Sequence, residues 1–119
     1  MTGNRASSNE APQLYQELWI SLASLVQSYA AAAMIAMPGE SCECSRDAQG
    51  GVSVQAGNRR LTVSRLGTAG EGRWLVESSE REILASGELS LDEQGLVSLD
   101  GNAPTEMDAA AEILTAKIL

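Results

Sequence analysis

The sequence predicts an α+β domain: a long N-terminal helix, an antiparallel meander of about five strands and a C-terminal helix. Apolar residues recur every three or four positions at both ends of the chain, which indicates helices. Between residues 52 and 99 they recur every second position, which indicates strands. Because the connections between strands are short, neighbouring strands should pair and both helices should pack on one face of the sheet.

The chain length fits one domain. With 119 residues, the protein should bury roughly two-thirds of the surface that it exposes when unfolded, so its core needs no metal or disulfide. Residues 1–8 are small and polar and predict a flexible leader. Residues 9–119 predict a single α+β domain.

The first helix is expected to begin at a cap on Ser8 or Asn9 and to continue to about Met37. Pro12 would lie in its first turn, where the missing N–H group costs little. Such a helix is roughly 40 Å long, at 1.5 Å per residue. It therefore exceeds what a compact domain of this size needs in order to cover its own sheet.

Apolar side chains surround much of this helix. Its main stripe, at helical spacing, comprises Leu14, Leu18, Leu22, Leu25, Val26, Tyr29, Ala33 and Met37. A second surface combines apolar residues off that stripe with a row of small residues, and we expect it to mediate self-association; it comprises Trp19, Ile20, Ser24, Ser28, Ala32 and Ile35. In the alternative, one side of the helix packs on its own sheet and the other on the C-terminal helix.

The middle of the chain alternates between strands and turns. Residues 39–51 predict a polar loop, and residues 52–66 predict a β-hairpin around Gly57-Asn58. Gly87 predicts a bulge or bend in a later strand. The inward-facing residues of the last three strands should be Trp74 and Val76, then Ile83, Ala85, Gly87, Leu89 and Leu91, then Val97 and Leu99.

The C-terminal helix is expected to run from Thr105 to about Ile118. Thr105 and Asp108 are spaced like a capping box, in which each side chain satisfies a backbone N–H group of the first turn. The apolar stripe of this helix comprises Met107, Ala110, Ala111, Leu114 and Ile118.

The residue inventory argues against an enzyme. The chain has no histidine, so it lacks the commonest general acid or base and the histidine-dependent nucleophilic triads. Cys42 and Cys44 supply two of the four ligands of a structural zinc site, and two reduced thiols in a loop are the simpler interpretation. We therefore expect no catalytic residues, no bound metal and no cofactor, although a metal or redox role for the cysteines stays open.

Charge and hydropathy restrict the partners. A net charge of −8 disfavours attraction to nucleic acid and to anionic lipid, and it favours a basic partner protein. The uncharged stretch from Leu18 to Gly39 is interrupted by serines and alanines, so it predicts neither a membrane helix nor, on balance, a signal segment. A cytoplasmic location follows as the expectation.

Four arginines lie close together in sequence, with Glu71 the only acid between them; they are Arg59, Arg60, Arg65 and Arg73. Cross-strand pairing with carboxylates explains them most simply. In the alternative, they contact an anion or a partner. If Arg59 and Arg65 share the parity of Leu61 and Val63, they flank the apolar face of the sheet.

These features predict a non-catalytic protein-interaction module, small, acidic and homodimeric, similar in general character to chaperones or adaptors. The first alternative is a small-molecule-binding domain with a cavity between sheet and long helix, lined by Trp74, Leu61, Val63, Tyr29 and Met34. The second is a nucleic-acid-binding protein that uses the arginine-bearing hairpin, which the net charge makes the less favoured option.

Overall fold

A computed structural model describes the backbone of residues 2–35, 42–46, 51–67 and 69–118, and the side chains from residue 13 onward within most of these ranges. It confirms the α+β class, with a long N-terminal helix, an antiparallel sheet and a C-terminal helix. The elements in chain order are α1 (Thr2–Ile35), β1 (Cys42–Arg46), β2 (Val52–Ala56), β3 (Arg59–Arg65), β4 (Glu71–Ser78), β5 (Ile83–Leu91), β6 (Val97–Leu99) and α2 (Met107–Ala116).

The sheet is a meander in which every strand pairs with its neighbour in sequence, in the order β1 to β6. It has one strand more than the five or so that we predicted, because β1 lies in the segment expected to be a loop. Cys44 on β1 pairs with Val54 on β2. Polar residues dominate β1, so its apolar content does not indicate a strand; only the alternation of cysteines with Glu43 and Ser45 could have done so.

Helix α1 is a single helix of 34 residues that begins at Thr2. The predicted cap at Ser8 or Asn9 is therefore wrong, and Pro12 lies inside the helix, where it cannot donate a backbone hydrogen bond. Because a helical backbone does not test flexibility, the division into a leader at 1–8 and one domain at 9–119 stays a prediction. The predicted end at Met37 lies outside the described residues.

The core fills the space between the two helices and the inner face of the sheet. Helix α1 packs on α2 on one side and on β1 and β2 on the other. From α1 the buried residues are Trp19, Leu22, Ala23, Val26 and Ala30; from α2 they are Ala110, Ala111, Leu114 and Thr115. On β2, Val52, Val54 and Ala56 point into this core and alternate with half-buried polar residues.

Strand β5 changes character along its length. Its first residues are exposed, whereas Leu89 and Leu91 are buried. The pairing with β4 shifts register next to Val76 and Glu77, so the irregularity lies at the start of β5. The predicted bulge at Gly87 is therefore misplaced: Gly87 lies opposite Trp74, and a Cβ atom there would collide with the indole and with Asp100.

The start of α2 also differs from the capping box that we expected. The N-cap residue is Glu106, which makes no side-chain capping bond. Thr105 instead pairs with Val97 through two backbone hydrogen bonds of 2.8 and 2.9 Å, which extend the sheet beyond β6. Thr105 thus pairs with a strand, although its spacing to Asp108 predicts that it caps the helix. Within the described residues, no helix has both the length and the apolar content needed to cross a bilayer.

Candidate interaction site

The outer face of the sheet, opposite the helices, has one corner where arginines and exposed aliphatic side chains lie near each other. This corner is formed by β3, β4 and the start of β5. Register aligns Arg60 with Glu77 and Glu77 with Ile83, so the three residues form one row across the strands. Since neighbouring strands are about 4.8 Å apart, the Cα atoms of Arg60 and Ile83 are separated by about 10 Å.

The apolar part of this corner, which we call the apolar corner, consists of Leu75, Ile83 and Leu84. Ile83 is 63% exposed and Leu84 is 46% exposed. Leu75 is half-buried and has the same parity on β4 as Glu77, on the outer face. Two adjacent large aliphatic residues are therefore exposed to water on the face that also bears the half-buried Leu75.

The sequence assigned Ile83 to the inner face, and this prediction is wrong. Ala85 and Gly87 keep the predicted parity, because they pair with the inward-facing Val76 and Trp74. The register shift between these residues and Ile83 moves Ile83 to the position opposite Glu77. A bulge adds one residue and reverses the side-chain parity beyond it, and no simple count along the sequence detects that change.

Beside the apolar corner lies a small cleft, which we call the arginine cleft. Arg60 lines it from the outer face of β3, Arg59 lines it from the first position of the same strand, where it has the inward parity, and Arg81 lines it from the turn between β4 and β5. Its volume is about 80 Å³, which is room for one small group rather than for a drug-sized ligand. Among the described residues, the lining consists of Gln55, Asn58, Arg59, Arg60, Glu77, Ser78, Ser79 and Arg81.

The turn that presents Arg81 is held by Ser78. The Ser78 hydroxyl accepts hydrogen bonds from the backbone N–H groups of Glu80 and Glu82, each at 3.2 Å. The Arg81 N–H donates to the Ser78 carbonyl at 2.9 Å, and the Ser78 N–H donates to the Glu82 carbonyl at 2.9 Å. Arg81 has a φ of 65°, in the left-handed region that costs an ordinary side chain about 1 kcal/mol or more.

In the part of the chain that the structure describes, the cleft lining contains three arginines and one acidic residue, Glu77. Arg60 Nη2 donates a hydrogen bond of 3.0 Å to Gln55 Oε1, which orients that side chain. Glu80 and Glu82 belong to the same turn as Arg81 but do not line the cleft. Guanidinium forks match the geometry of carboxylates and phosphates, so this arrangement suits an oxyanion.

The structure separates the four arginines singled out in the sequence. Arg59 and Arg60 share the cleft, whereas Arg65 lies at the far end of β3, about 20 Å away along the strand. Arg73 lies on β4 opposite Ser64 and Glu88. The register places Arg60 opposite Glu77 and Arg73 opposite Glu88, as cross-strand pairing requires, but within the described residues no ion pair joins these side chains.

Two details of the arginine prediction have clear outcomes. Arg59 and Arg65 lie an even number of positions from Leu61 and Val63 on β3, so they share the parity of these two buried residues. Arg81 was missed, since it is the only basic residue in a strongly acidic stretch of sequence. The turn signal at Ser78-Ser79 was visible, but the sequence does not show that this turn lies next to Arg59.

The predicted self-association surface on α1 is divided between the core and the solvent. Trp19 is fully buried, and its Nε1 atom donates a hydrogen bond of 2.9 Å to the Ala69 carbonyl. Ser24 accepts a hydrogen bond of 3.0 Å from Arg46, which ties β1 to the helix. Trp19 and Ser24 therefore serve contacts within the chain rather than an outer surface.

The other residues of that surface are placed differently. Ile20 is 42% exposed, and Ser28 and Ala32 are exposed. The side chain of Ile35 lies outside the described part of the structure. The predicted main stripe omitted Trp19, although Trp19 lies at helical spacing from the buried Leu22, Ala23, Val26 and Ala30.

The residues expected to line a small-molecule cavity lie in the core. Leu61, Val63 and Trp74 are buried there, and Tyr29 packs partly buried against it. The side chain of Met34 falls outside the described residues.

Cys44 lies half-buried against the same core, and within the described residues no group of three or more potential metal ligands comes together. The side chain of Cys42 is outside the described part of the chain.

Comparisons with known proteins give no further guide to this site. Neither the protein-family models, nor the curated proteins, nor the solved structures with which the chain was compared yield a match.

Proposed function

We propose that this protein is a non-catalytic interaction module that docks a segment of a partner protein on the outer face of its sheet. The observation that supports this most directly is the exposure of Ile83 and Leu84 next to each other, at 63% and 46%. Covering such side chains removes apolar area from water, at about 25 cal/mol per Å². The apolar corner thus supplies a driving force, and the adjacent arginine cleft supplies directional polar contacts.

The composition is consistent with this role. The absence of histidine from the chain leaves few groups for acid–base chemistry. The alternatives of a small-molecule site and a nucleic-acid site receive less support. The first would need the buried Leu61 and Val63 to line a cavity, and the second would need the separated arginines to act on one backbone. A cytoplasmic location is part of the same proposal.

Site-specific photo-crosslinking in the native cells tests the docking surface. A photoreactive amino acid replaces Ser86, which is exposed beside the apolar corner, and in the matched control it replaces Ala103, which is exposed before α2. We expect a discrete partner adduct from position 86, and we expect Leu84→Asp in the same chain to remove it. Equal adducts from both positions, or an adduct that survives Leu84→Asp, would contradict the proposal.

Homodimer formation through the outward side of α1 is a second candidate, supported by the 42% exposure of Ile20. Ser28 and Ala32 are also exposed on this helix and are small enough to allow close approach of a second backbone. We expect a dimeric mass by analytical ultracentrifugation at micromolar concentration and a monomeric mass for Ile20→Glu. A monomeric mass for the unaltered chain would eliminate this candidate and leave the docking proposal intact.

A further inference from the structure

We propose that the docked segment is acidic: one of its carboxylates enters the arginine cleft while a nearby apolar side chain covers Ile83 and Leu84. This inference rests on the proposed function and adds the chemistry of the partner. It is motivated by the juxtaposition of Arg59, Arg60 and Arg81 with the apolar corner.

The spacing of the two parts fits an extended peptide. The row from Arg60 through Glu77 to Ile83 spans about 10 Å across three strands. An extended chain advances about 3.3 Å per residue and points successive side chains to opposite faces, so two side chains that meet one surface about 10 Å apart are two or four residues apart in sequence. The preferred segment therefore carries an acidic residue two or four positions from an apolar residue.

The cleft itself favours a carboxylate. Its described lining has three arginines against one acidic residue, and its volume of about 80 Å³ accommodates a single small oxyanion. In the described part of the chain, the guanidinium groups of Arg59 and Arg81 have no hydrogen-bond or ion-pair partner. Their donors are thus available to a ligand without breaking a contact within the protein.

Because the chain as a whole is acidic, the attraction for an acidic segment is confined to the arginine cleft. At a net charge of −8, most of the surface repels an acidic segment, and only a basic site can hold one in a defined place. Nucleic acid would be attracted by the same arginines, but no aromatic residue lines the cleft to stack a base. A phosphate group alone would fill the cleft without using Ile83 or Leu84.

Binding of labelled synthetic peptides, measured by fluorescence anisotropy, tests the inference. The probes are short peptides in which leucine and a second residue take turns at every second position, with serine between them; the second residue is glutamate, glutamine or lysine. We expect the glutamate peptide to bind tightest, by about tenfold over the glutamine peptide, and its affinity to fall with added salt.

Variants locate the contact. The double variant Arg59→Gln/Arg81→Gln should weaken binding of the glutamate peptide by about tenfold, as expected for two partly solvated ion pairs. Arg73→Gln is the matched control. Arg73 is exposed on the same face outside the cleft, and its substitution removes one positive charge, as each of the two cleft substitutions does. We expect it to change affinity by less than about twofold.

Each other outcome overturns the inference in a distinguishable way. If the glutamate and glutamine peptides bind equally and Leu84→Asp abolishes both, docking stands and the acidic partner is wrong. If Arg73→Gln weakens binding as much as one cleft substitution, the attraction is unspecific. Displacement by inorganic phosphate at constant ionic strength, with no effect of Leu84→Asp, would show an oxyanion site alone. Failure of every peptide, with a position-86 adduct retained, would reject this partner chemistry but not the docking surface.

Discussion

The two halves of β5 belong to one strand but differ in what covers them. From Leu89 to Leu91 the strand alternates between buried and exposed residues, because helices cover its inner face and β6 pairs with its edge. From Ile83 to Ser86 every residue is exposed. The difference teaches that apolar residues in a strand indicate a buried face only where a second layer lies over them. Elsewhere the same residues stay exposed to water, as Ile83 and Leu84 do.

Asp100 contacts β5 next to its covered half, the half from Leu89 to Leu91. Its Oδ1 atom accepts hydrogen bonds from the Glu88 backbone N–H at 2.9 Å and from Trp74 Nε1 at 3.1 Å. The Trp74 indole lies across Gly87. The Nζ atom of Lys117, the residue after α2, lies 4.3 Å from the centroid of the Trp74 ring. The start of β5 has no equivalent anchor among the described residues. It is held to β4 by its backbone pairing at Ala85 and Ile83.

Trp19→Ala should lower the free energy of unfolding most, because it uncovers the covered half of β5, from Leu89 to Leu91. The Trp19 ring lies against Gly72, the residue paired with Leu89 of β5. Loss of a buried indole and its bond to Ala69 should lower the free energy of unfolding by about 3–5 kcal/mol. Urea denaturation followed by circular dichroism measures this change. A loss below about 1 kcal/mol would show that α1 does not cover this half of the strand.

Asp100→Ala should have an intermediate effect of about 1–3 kcal/mol, because it leaves the Glu88 N–H and the Trp74 N–H without their acceptor. Asp100 also has a φ of 55°, which asparagine tolerates better than alanine does. Asp100→Asn is therefore the matched control, and it should retain most of the stability in the same denaturation experiment. Equal losses for both variants would contradict the role assigned to the acceptor oxygen.

Ile83→Thr should have the smallest effect, within about 0.5 kcal/mol, since the side chain is 63% exposed and threonine keeps the β-branched shape. Thermal unfolding compared with that of Leu89→Thr, on the buried half of the same strand, makes the contrast direct. A large loss at Ile83 would mean that this half of β5 is covered after all, and the apolar corner would then not be available to a partner.

The sequence predicted the parts of the fold that depend on local periodicity. Alternation located β2 to β6, and helical spacing located the residues of α2 that enter the core, such as Leu114. What it could not predict depends on contacts between distant residues. Strand β1 forms because β2 offers it a free edge, and Thr105 pairs with Val97 although its spacing to Asp108 suits a helix cap.

The candidate site was predicted only in part for the same reason. Arg59 and Arg60 were singled out, but Arg81 joins them only because the meander brings two turns to the same end of the sheet. Ile83 was assigned to the wrong face, because a register shift changes parity without a sign in composition. Local patterns thus found two of the three arginines of the cleft and placed Ile83 on the wrong face.

The contact between α1 and α2 has a consequence for biosynthesis. Each strand can pair with its predecessor as soon as it leaves the ribosome, because the meander joins only neighbours in sequence. Helix α1 precedes all six strands and α2 follows them, so part of the apolar surface of α1 has no partner until α2 has been synthesised. The growing chain therefore exposes that surface while the sheet is being made, and closure of the core requires α2.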